Sequence, residues 1–341
     1  MSEAVKTALA RLVAGEAVTP TDTAAAFSAV MDGQAGDVEL AGWLTAMAMA
    51  GESANDIAEG ARALRARMTP LPYPDATVDV CGTGGDGAHT LNVSTAVSFV
   101  LAGCGLKVAK HGNRAMSSRS GAADVLAELG VSLDMTDAQH RQALDQAGVT
   151  FLFAQSRHPA MRHVAHVRRA LGFRTVFNCL GPLANPAGAQ RQLIGVYHSR
   201  LLAPVAEAAT LLGAEKIWVV HGFGGLDELS PAGPSQVVEA AGSSARAFAV
   251  SPTDAGLAGA SLESLRGGDP AHNARALLAL LDGETGGYRE AVLLNAAAAL
   301  IVADRVPDLR AGATLAARSI DEGAARRALS ELAQAGRGEI A

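Results

Sequence analysis

Thr77-Val78-Asp79-Val80-Cys81 runs directly into Gly82-Thr83-Gly84-Gly85-Asp86-Gly87. A β-rich run that breaks into a glycine-rich loop is how a strand of a parallel sheet hands over to a helix. The loop satisfies the G-x-G-x-x-G pattern, in which missing side chains let backbone approach phosphate. Further β-rich runs at Leu106 to Lys110, Val149 to Phe153, Leu193 to Val196 and Ile217 to Val220 alternate with alanine-rich helical stretches. That alternation predicts βα units around a mainly parallel sheet, with ligands at the carboxyl ends of its strands.

Upstream, residues 1–70 read as three or four helices punctuated by Gly15, Gly33 and Gly51. Ser53 to Asp56 has the form of a capping box, and Ile57, Ala61 and Leu64 recur at helical spacing, which predicts a helix over Ala54 to Met68. Thr69-Pro70-Leu71-Pro72-Tyr73-Pro74 then removes backbone donors and marks a domain boundary. The chain has 341 residues, 49% of them hydrophobic and 18% charged, which suits a soluble protein of two domains. A net charge of -6 disfavours general nucleic-acid binding. Cys81, Cys104 and Cys179 have no C-x-x-C spacing and suit a reducing cytoplasm. Met1 to Ala10 lacks the apolar core of a signal peptide. Ala291 to Ala303, interrupted by Asn295, falls short of the ~20 residues of a membrane span and reads as a buried helix.

A dinucleotide site would need an acid at the end of the second strand, but that strand ends in Lys110-His111-Gly112-Asn113-Arg114. Acidic residues are absent between Asp86 and Asp124, where Lys107, Lys110, Arg114 and Arg119 fall. Lys110 to Ser120 thus offers positive charge, glycine-permitted amides and the hydroxyls of Ser117, Ser118 and Ser120, a set suited to a diphosphate or sugar phosphate. Asn92-Val93-Ser94-Thr95 adds donors where a helix should begin; Asn92 and Ser94 read equally well as ordinary caps. A second acid-free window, from Gln146 to Glu207, holds Arg168 on the same face as Met161, Val164 and Ala165 of a helix expected over Pro159 to Leu171. An arginine on that apolar side is either paired internally or awaits a planar carboxylate. His158, His163 and His166 read as packing or surface residues, since no cysteine or acid accompanies them. After the strand Ile217 to Val220, Asp227 and Glu228 place adjacent carboxylates behind a glycine-rich turn, a pattern that beside a phosphate site suits magnesium.

In order along the chain, Gly82-Thr83-Gly84-Gly85-Asp86, Asn92-Val93-Ser94-Thr95, Lys110 to Ser118, His158-Pro159-Ala160-Met161, Arg174-Thr175-Val176-Phe177-Asn178 and Leu180-Gly181-Pro182-Leu183 resemble the anthranilate phosphoribosyltransferase family of tryptophan biosynthesis over nearly the whole sequence. The resemblance implies transfer of the phosphoribosyl group of phosphoribosyl diphosphate (PRPP) to the amino group of anthranilate, with release of pyrophosphate. It implies an α/β architecture of the nucleoside phosphorylase and phosphoribosyltransferase kind. A small N-terminal helical domain over 1–70, completed by residues about 168–190, would join a PRPP-binding catalytic domain over 76–341. PRPP would lie on Gly82, Gly85, Asp86, Thr90, Asn92, Val93, Ser94, Thr95, Lys110, His111, Gly112, Asn113, Arg114, Ala115, Met116, Ser117, Ser118 and Ala122. Anthranilate would meet Gly82, Asn113, Arg168, Gly181 and Pro182. His111, Asn113 and Arg168 would act by positioning, and Ser94, Asp227 and Glu228 would share Mg2+. A cytoplasmic homodimer is implied, and any association with anthranilate synthase would be between separate chains. The competing readings are a pyrimidine nucleoside phosphorylase, a nicotinamide-dependent oxidoreductase and a nucleic-acid binder using the basic windows.

Overall fold

The computed structural model describes residues 2–115 and 119–338. Five strands, β1 (Val78–Gly82), β2 (Val108–Gly112), β3 (Val149–Phe153), β4 (Arg191–Gly195) and β5 (Lys216–His221), pair in parallel. Two more, β6 (Ser235–Ala241) and β7 (Ser244–Val250), extend the sheet as an antiparallel hairpin, in the order β3-β2-β1-β4-β5-β6-β7. The parallel strands lie within two residues of the runs read from sequence. The hairpin escaped that reading because exposed Ser244, Ala245, Arg246 and Ala247 carry little β-branched signal, and the strands turn tightly at Gly242, with φ of 57°.

The order has a consequence for the site. After β1 the chain moves outward to β2 and β3, then returns to β4 on the other side of β1, so a crevice opens between the carboxyl ends of β1 and β4. At that edge Gly82 sits in register with Gly195. A Cβ on Gly195 would lie 1.6 Å from the backbone oxygen of Asp227, and one on Gly82 would lie 2.2 Å from Asp227 Oδ2. Both positions are glycine because the segment after β5 folds directly over the strand ends.

Alternate residues of the strands feed two cores. Val78, Val80, Leu193, Trp218 and Val220 pack with helix α5 (Val93–Gly103) and the C-terminal helices. Cys81, Ile194, Ile217 and Val219 pack with α1 (Glu3–Val13), α2 (Pro20–Met31), α3 (Asp37–Ala50), α4 (Ala54–Arg65) and residues between Ala160 and Ala184. The capping box of α4 is present, with Asp56 N–H donating to Ser53 Oγ at 3.1 Å and Ser53 N–H donating to Asp56 Oδ2 at 3.0 Å. The helix ends at Arg65 rather than Met68, and looser turns lead to Pro70.

The proline-rich linker is anchored at two points. Thr69 N–H donates to Arg157 O and Leu71 N–H to Pro186 O, each at 2.8 Å. Leu71 is wholly buried against Ala109, Leu144 and Leu152, a burial that stabilises by roughly 1.5–3 kcal/mol. The helix expected near Ala291 runs Gly287–Val302 and is buried along Ala291 to Leu300. Among the described residues no helix is long and apolar enough to cross a membrane.

Candidate functional site at the carboxyl ends of the strands

The loop after β1 owes its shape to Gly84, Gly85 and Gly87, whose φ values of 70°, 75° and 77° lie where other residues are strained. Gly84 N–H donates to Asp227 Oδ2 at 2.7 Å, and Asp86 Oδ1 accepts from Ala88 N–H at 3.1 Å. The adjacent carboxylate, Glu228, accepts from Ser94 N–H at 3.2 Å in the first turn of α5. One acidic pair therefore ties the glycine-rich loop to a helix N-terminus, whose partial positive charge favours a carboxylate there.

Asn92 stands at the start of α5 but does not cap it with its side chain. Its Oδ1 accepts from Asn273 Nδ2 at 2.8 Å and its carbonyl accepts from Tyr288 OH at 3.0 Å, so two C-terminal helices hold this corner. Val93 is buried, and so is the Thr95 hydroxyl, which has no partner among the described residues. Thr90 is held by a bridge to Arg266.

Lys110, only 3% exposed, turns its ammonium inward, donating to Val80 O at 2.8 Å and Ser94 Oγ at 3.2 Å. Beneath it Asp79 accepts from His111 N–H at 3.3 Å and from Asn185 Nδ2 at 2.8 Å. Burial raises the Asp79 pKa, and Lys110 opposes that rise. Gly112 permits Phe151 to approach, since a Cβ there would meet its ring at 2.8 Å. Beyond it, Asp124 organises the loop by accepting from Ala115 N–H and Gly121 N–H at 3.0 Å each and from Arg114 Nη1 at 2.9 Å. Arg114 is exposed, Asn113 half-buried, and Ala122 opens the helix Ala122–Glu128. Met116, Ser117 and Ser118 lie outside the described residues.

His111 Nδ1 lies 3.2 Å from Gly181 O, and its Nε2 lies 3.1 Å from His158 Nε2. The carbonyl, an acceptor, assigns the proton to Nδ1 of His111. Burial first, then His158, lowers the His111 pKa to about 3; burial lowers that of His158 to about 4. Both are neutral at pH 7. The structure thus brings His111 to the Gly181 carbonyl.

The helix expected over Pro159 to Leu171 begins as a 3-10 turn, Pro159–Met161, and continues as Arg162–Leu171. Arg168 is half-buried, its guanidinium carbon 5.4 Å from the centre of the Phe177 ring. It makes no hydrogen bond or ion pair among the described residues. Burial without an anion lowers its pKa. Of the two readings open at the sequence level, internal pairing is therefore the one the structure does not support.

The acidic pair is half-buried. Asp227 is pushed well above the ordinary carboxylate range by desolvation, Asp86 and Glu228; desolvation lifts Glu228 to about 7 against the pull of Lys110 and Ser94. Among the described residues no group of three His, Cys, Asp or Glu could hold a metal alone. Two crowded carboxylates and the Ser94 hydroxyl form an all-oxygen donor set, which fits a hard cation completed by substrate phosphates and water.

Three contributors escape the sequence reading. Asp79 is hidden inside a β-rich run, where an acid flanked by Val78 and Val80 is the available signal. His158, expected in packing or at the surface, is buried as packing requires, but against His111. Asn295, expected only as an interruption, bonds Leu229 N–H and O through its Oδ1 and Nδ2 at 2.9 Å each, fixing the residue after Glu228.

A model described as glycosyl transferase family, a/b domain, matches residues 74–326, and one described as glycosyl transferase family, helical bundle domain, matches residues 6–68. The chain is 54% identical over 334 residues to the anthranilate phosphoribosyltransferase of Phenylobacterium zucineum, covering 98% of this chain and 99% of that one. It is 52% identical to that of Caulobacter vibrioides, covering 100% and 99%. Among solved structures, anthranilate phosphoribosyltransferase from Thermus thermophilus superposes with a TM-score of 0.92 at 43% identity, covering 98% and 100%. The enzyme from Saccharomyces cerevisiae in complex with PRPP and Mg superposes with a TM-score of 0.90 at 29% identity, covering 99% of each chain.

Proposed function

The chain belongs to the anthranilate phosphoribosyltransferase family, and from that premise we infer that it transfers the phosphoribosyl group of PRPP to the amino group of anthranilate. The products are N-(5-phosphoribosyl)anthranilate and pyrophosphate, in tryptophan biosynthesis. The observation that carries the reading to these residues is the convergence of the glycine-rich loop, the first turn of α5 and the Asp227-Glu228 segment at one sheet edge. We assign PRPP to Gly82, Gly85, Asp86, Thr90, Asn92 to Thr95, Lys110 to Ser118 and Ala122, and anthranilate to Gly82, Asn113, Arg168, Gly181 and Pro182.

Breaking the bond from the anomeric carbon to pyrophosphate leaves positive charge on the ribose and negative charge on the departing oxygens. Backbone amides of the glycine-rich loop and of α5 can stabilise that negative charge without reorganising. Asp227, Glu228 and Ser94 would hold magnesium, which when bound adds positive charge at the diphosphate. Lys110 fixes Ser94 and offsets the charge of Glu228 from below. An aromatic amine is neutral and nucleophilic at pH 7, so alignment matters more than proton removal. Both ring nitrogens of His111 face protein groups, which supports a positioning role. Arg168, lacking a partner, supplies a planar donor set for the anthranilate carboxylate.

We assign residues 1–70 with about 168–190 to the helical domain, residues 76–341 to the catalytic domain, and the chain to the cytoplasm as a homodimer. Val13 of α1 and Val38 and Met49 of α3, 76%, 87% and 84% exposed, support a contact through the helical domain. Sedimentation at micromolar concentration tests it, and a monomer would refute it. For the reaction, purified protein with PRPP, magnesium and anthranilate should quench anthranilate fluorescence and release pyrophosphate, with each component required. Phosphate-dependent cleavage of a nucleoside, with no use of PRPP, would overturn the reading in favour of a phosphorylase.

A further inference from the structure

Arg174 lies in the second acid-free window and is exposed, yet it is not loose. Its guanidinium carbon stands 4.4 Å from the centre of the Tyr197 ring. Tyr197 is only 8% exposed, and its backbone N–H donates to Thr83 Oγ1 at 3.1 Å. Thr83 in turn donates its N–H to Gly195 O at 2.9 Å, so ring and glycine-rich loop form one unit. Arg200, whose charge acts on the Tyr197 hydroxyl, also reaches the buried carboxylate of Glu52 at 3.4 Å. The platform under Arg174 is therefore fixed from both domains.

The Nε edge of Arg174 lies against the loop itself. A Cβ on Gly85 would stand 3.0 Å from Arg174 Nε, and Gly85 has φ of 75°, so neither the space nor the backbone there accommodates a side chain. Among the described residues Arg174 makes no hydrogen bond or ion pair. A guanidinium held over an aromatic ring, without an anion and with its Nε edge on a glycine-rich loop, is preorganised for bidentate contact with phosphate oxygens.

We propose that Arg174 binds the diphosphate of PRPP, and the pyrophosphate released from it, at Gly85 of the glycine-rich loop, whereas the Asp227-Glu228 pair is tied to that loop at Gly84. The inference rests on the reading that this loop holds PRPP. Arg174 is thereby a contact to the leaving group, separate from Arg168, which faces the acceptor.

The test is steady-state kinetics of the full chain and of Arg174→Gln and Arg174→Lys, with pyrophosphate as product inhibitor and magnesium held in excess. The expected result for Arg174→Gln is a rise of about tenfold in both the KM for PRPP and the inhibition constant for pyrophosphate, a loss of about 1.4 kcal/mol. The KM for anthranilate should stay within about twofold. Arg174→Lys should recover only part of the loss, because it restores charge without the planar stack. A wild-type enzyme that ignores PRPP would remove the underlying reading. Wild-type turnover of PRPP with unchanged PRPP and pyrophosphate constants in Arg174→Gln would remove the inference alone. A rise confined to the KM for anthranilate would also overturn it and move Arg174 to the acceptor side. The side chain is exposed, so a thermal midpoint matching wild type is expected; a lower one would call for the same kinetics on Arg174→Lys, whose full wild-type constants would refute the contact.

Discussion

Lys110 and Arg168 come from the two acid-free windows and look alike in sequence, but the fold uses their charges differently. Lys110 is sunk between β1 and α5, with its donors on Val80 and Ser94. Arg168 lies beside Phe177 with no partner among the described residues. The first charge is anchored by hydrogen bonds at the site assigned to PRPP, and the second has none among the described residues and is the one we propose for the acceptor. An acid-poor stretch reports a local positive field; packing decides which cation a substrate meets.

The contrast breaks most visibly at Lys110. Lys110→Met leaves Asp79 and Glu228 without the cation that offsets them. We expect a stability loss of roughly 3 kcal/mol, within the range for breaking buried charge pairs, and more than about a hundredfold loss of kcat/KM, or ~2.7 kcal/mol. Urea unfolding measured beside steady-state rates checks both. Loss of rate at unchanged stability would show that Lys110 serves the ligand rather than the scaffold. Arg168→Ala should behave in the opposite sense, costing roughly 10- to 100-fold in use of anthranilate at ~1.4 kcal/mol per tenfold. Its unfolding midpoint should move little, as no protein hydrogen bond is lost. An unchanged KM and rate for anthranilate would take Arg168 out of the site.

These assignments also show what was readable beforehand. The glycine-rich loop, the acidic pair and the capping box at Ser53 are local patterns, each contained in a few consecutive residues, and so they survive in sequence. Arg168 was legible as an anomaly on an apolar helical face, although its lack of a partner was not. Asp79, His158 and Asn295 gain their roles from residues between 32 and 113 positions away, as in the His111 to Asp79 and Gln192 to Asp79 bonds. No window of sequence contains that information. The β6–β7 hairpin was missed for a different reason: it pairs through its backbone while its side chains carry a weak signal.

Asp227 tests whether the acidic pair serves the scaffold, as the contacts of Lys110 do, or the ligand, as we propose for Arg168. Asp227→Asn keeps an oxygen for the Gly84 N–H but removes a charge. We expect the magnesium concentration for half-maximal rate to rise about tenfold, equivalent to ~1.4 kcal/mol. A titration that overlays wild type would count against the metal role and leave Asp227 as a loop anchor.

His140 supplies the smallest effect and a control from the scaffold side. It is 2% exposed, bonded to Thr150 Oγ1 at 2.8 Å, and its pKa is lowered to about 4 by burial and then by Arg157. Between that value and the ~6.5 of an unfolded histidine, the unfolded chain binds more protons than the folded one. Stability from this residue is therefore complete above about pH 6.5 and declines as pH falls toward 4, with a limiting slope of ~1.4 kcal/mol per unit. The raised carboxylates Asp79, Asp227 and Glu228 act in the other direction, so wild-type stability against pH does not isolate His140. The difference between wild type and His140→Gln does, because the carboxylates cancel. From pH 6.5 to 5.5 wild type should lose about 1 kcal/mol relative to the variant, while the variant's kcat/KM keeps the wild-type pH profile. A stability difference independent of pH would mean that His140 takes up its proton equally readily in the folded and the unfolded chain. A shifted rate profile would mean that a charge on this distant histidine reaches the site, and the separation between scaffold charges and ligand charges would fail there.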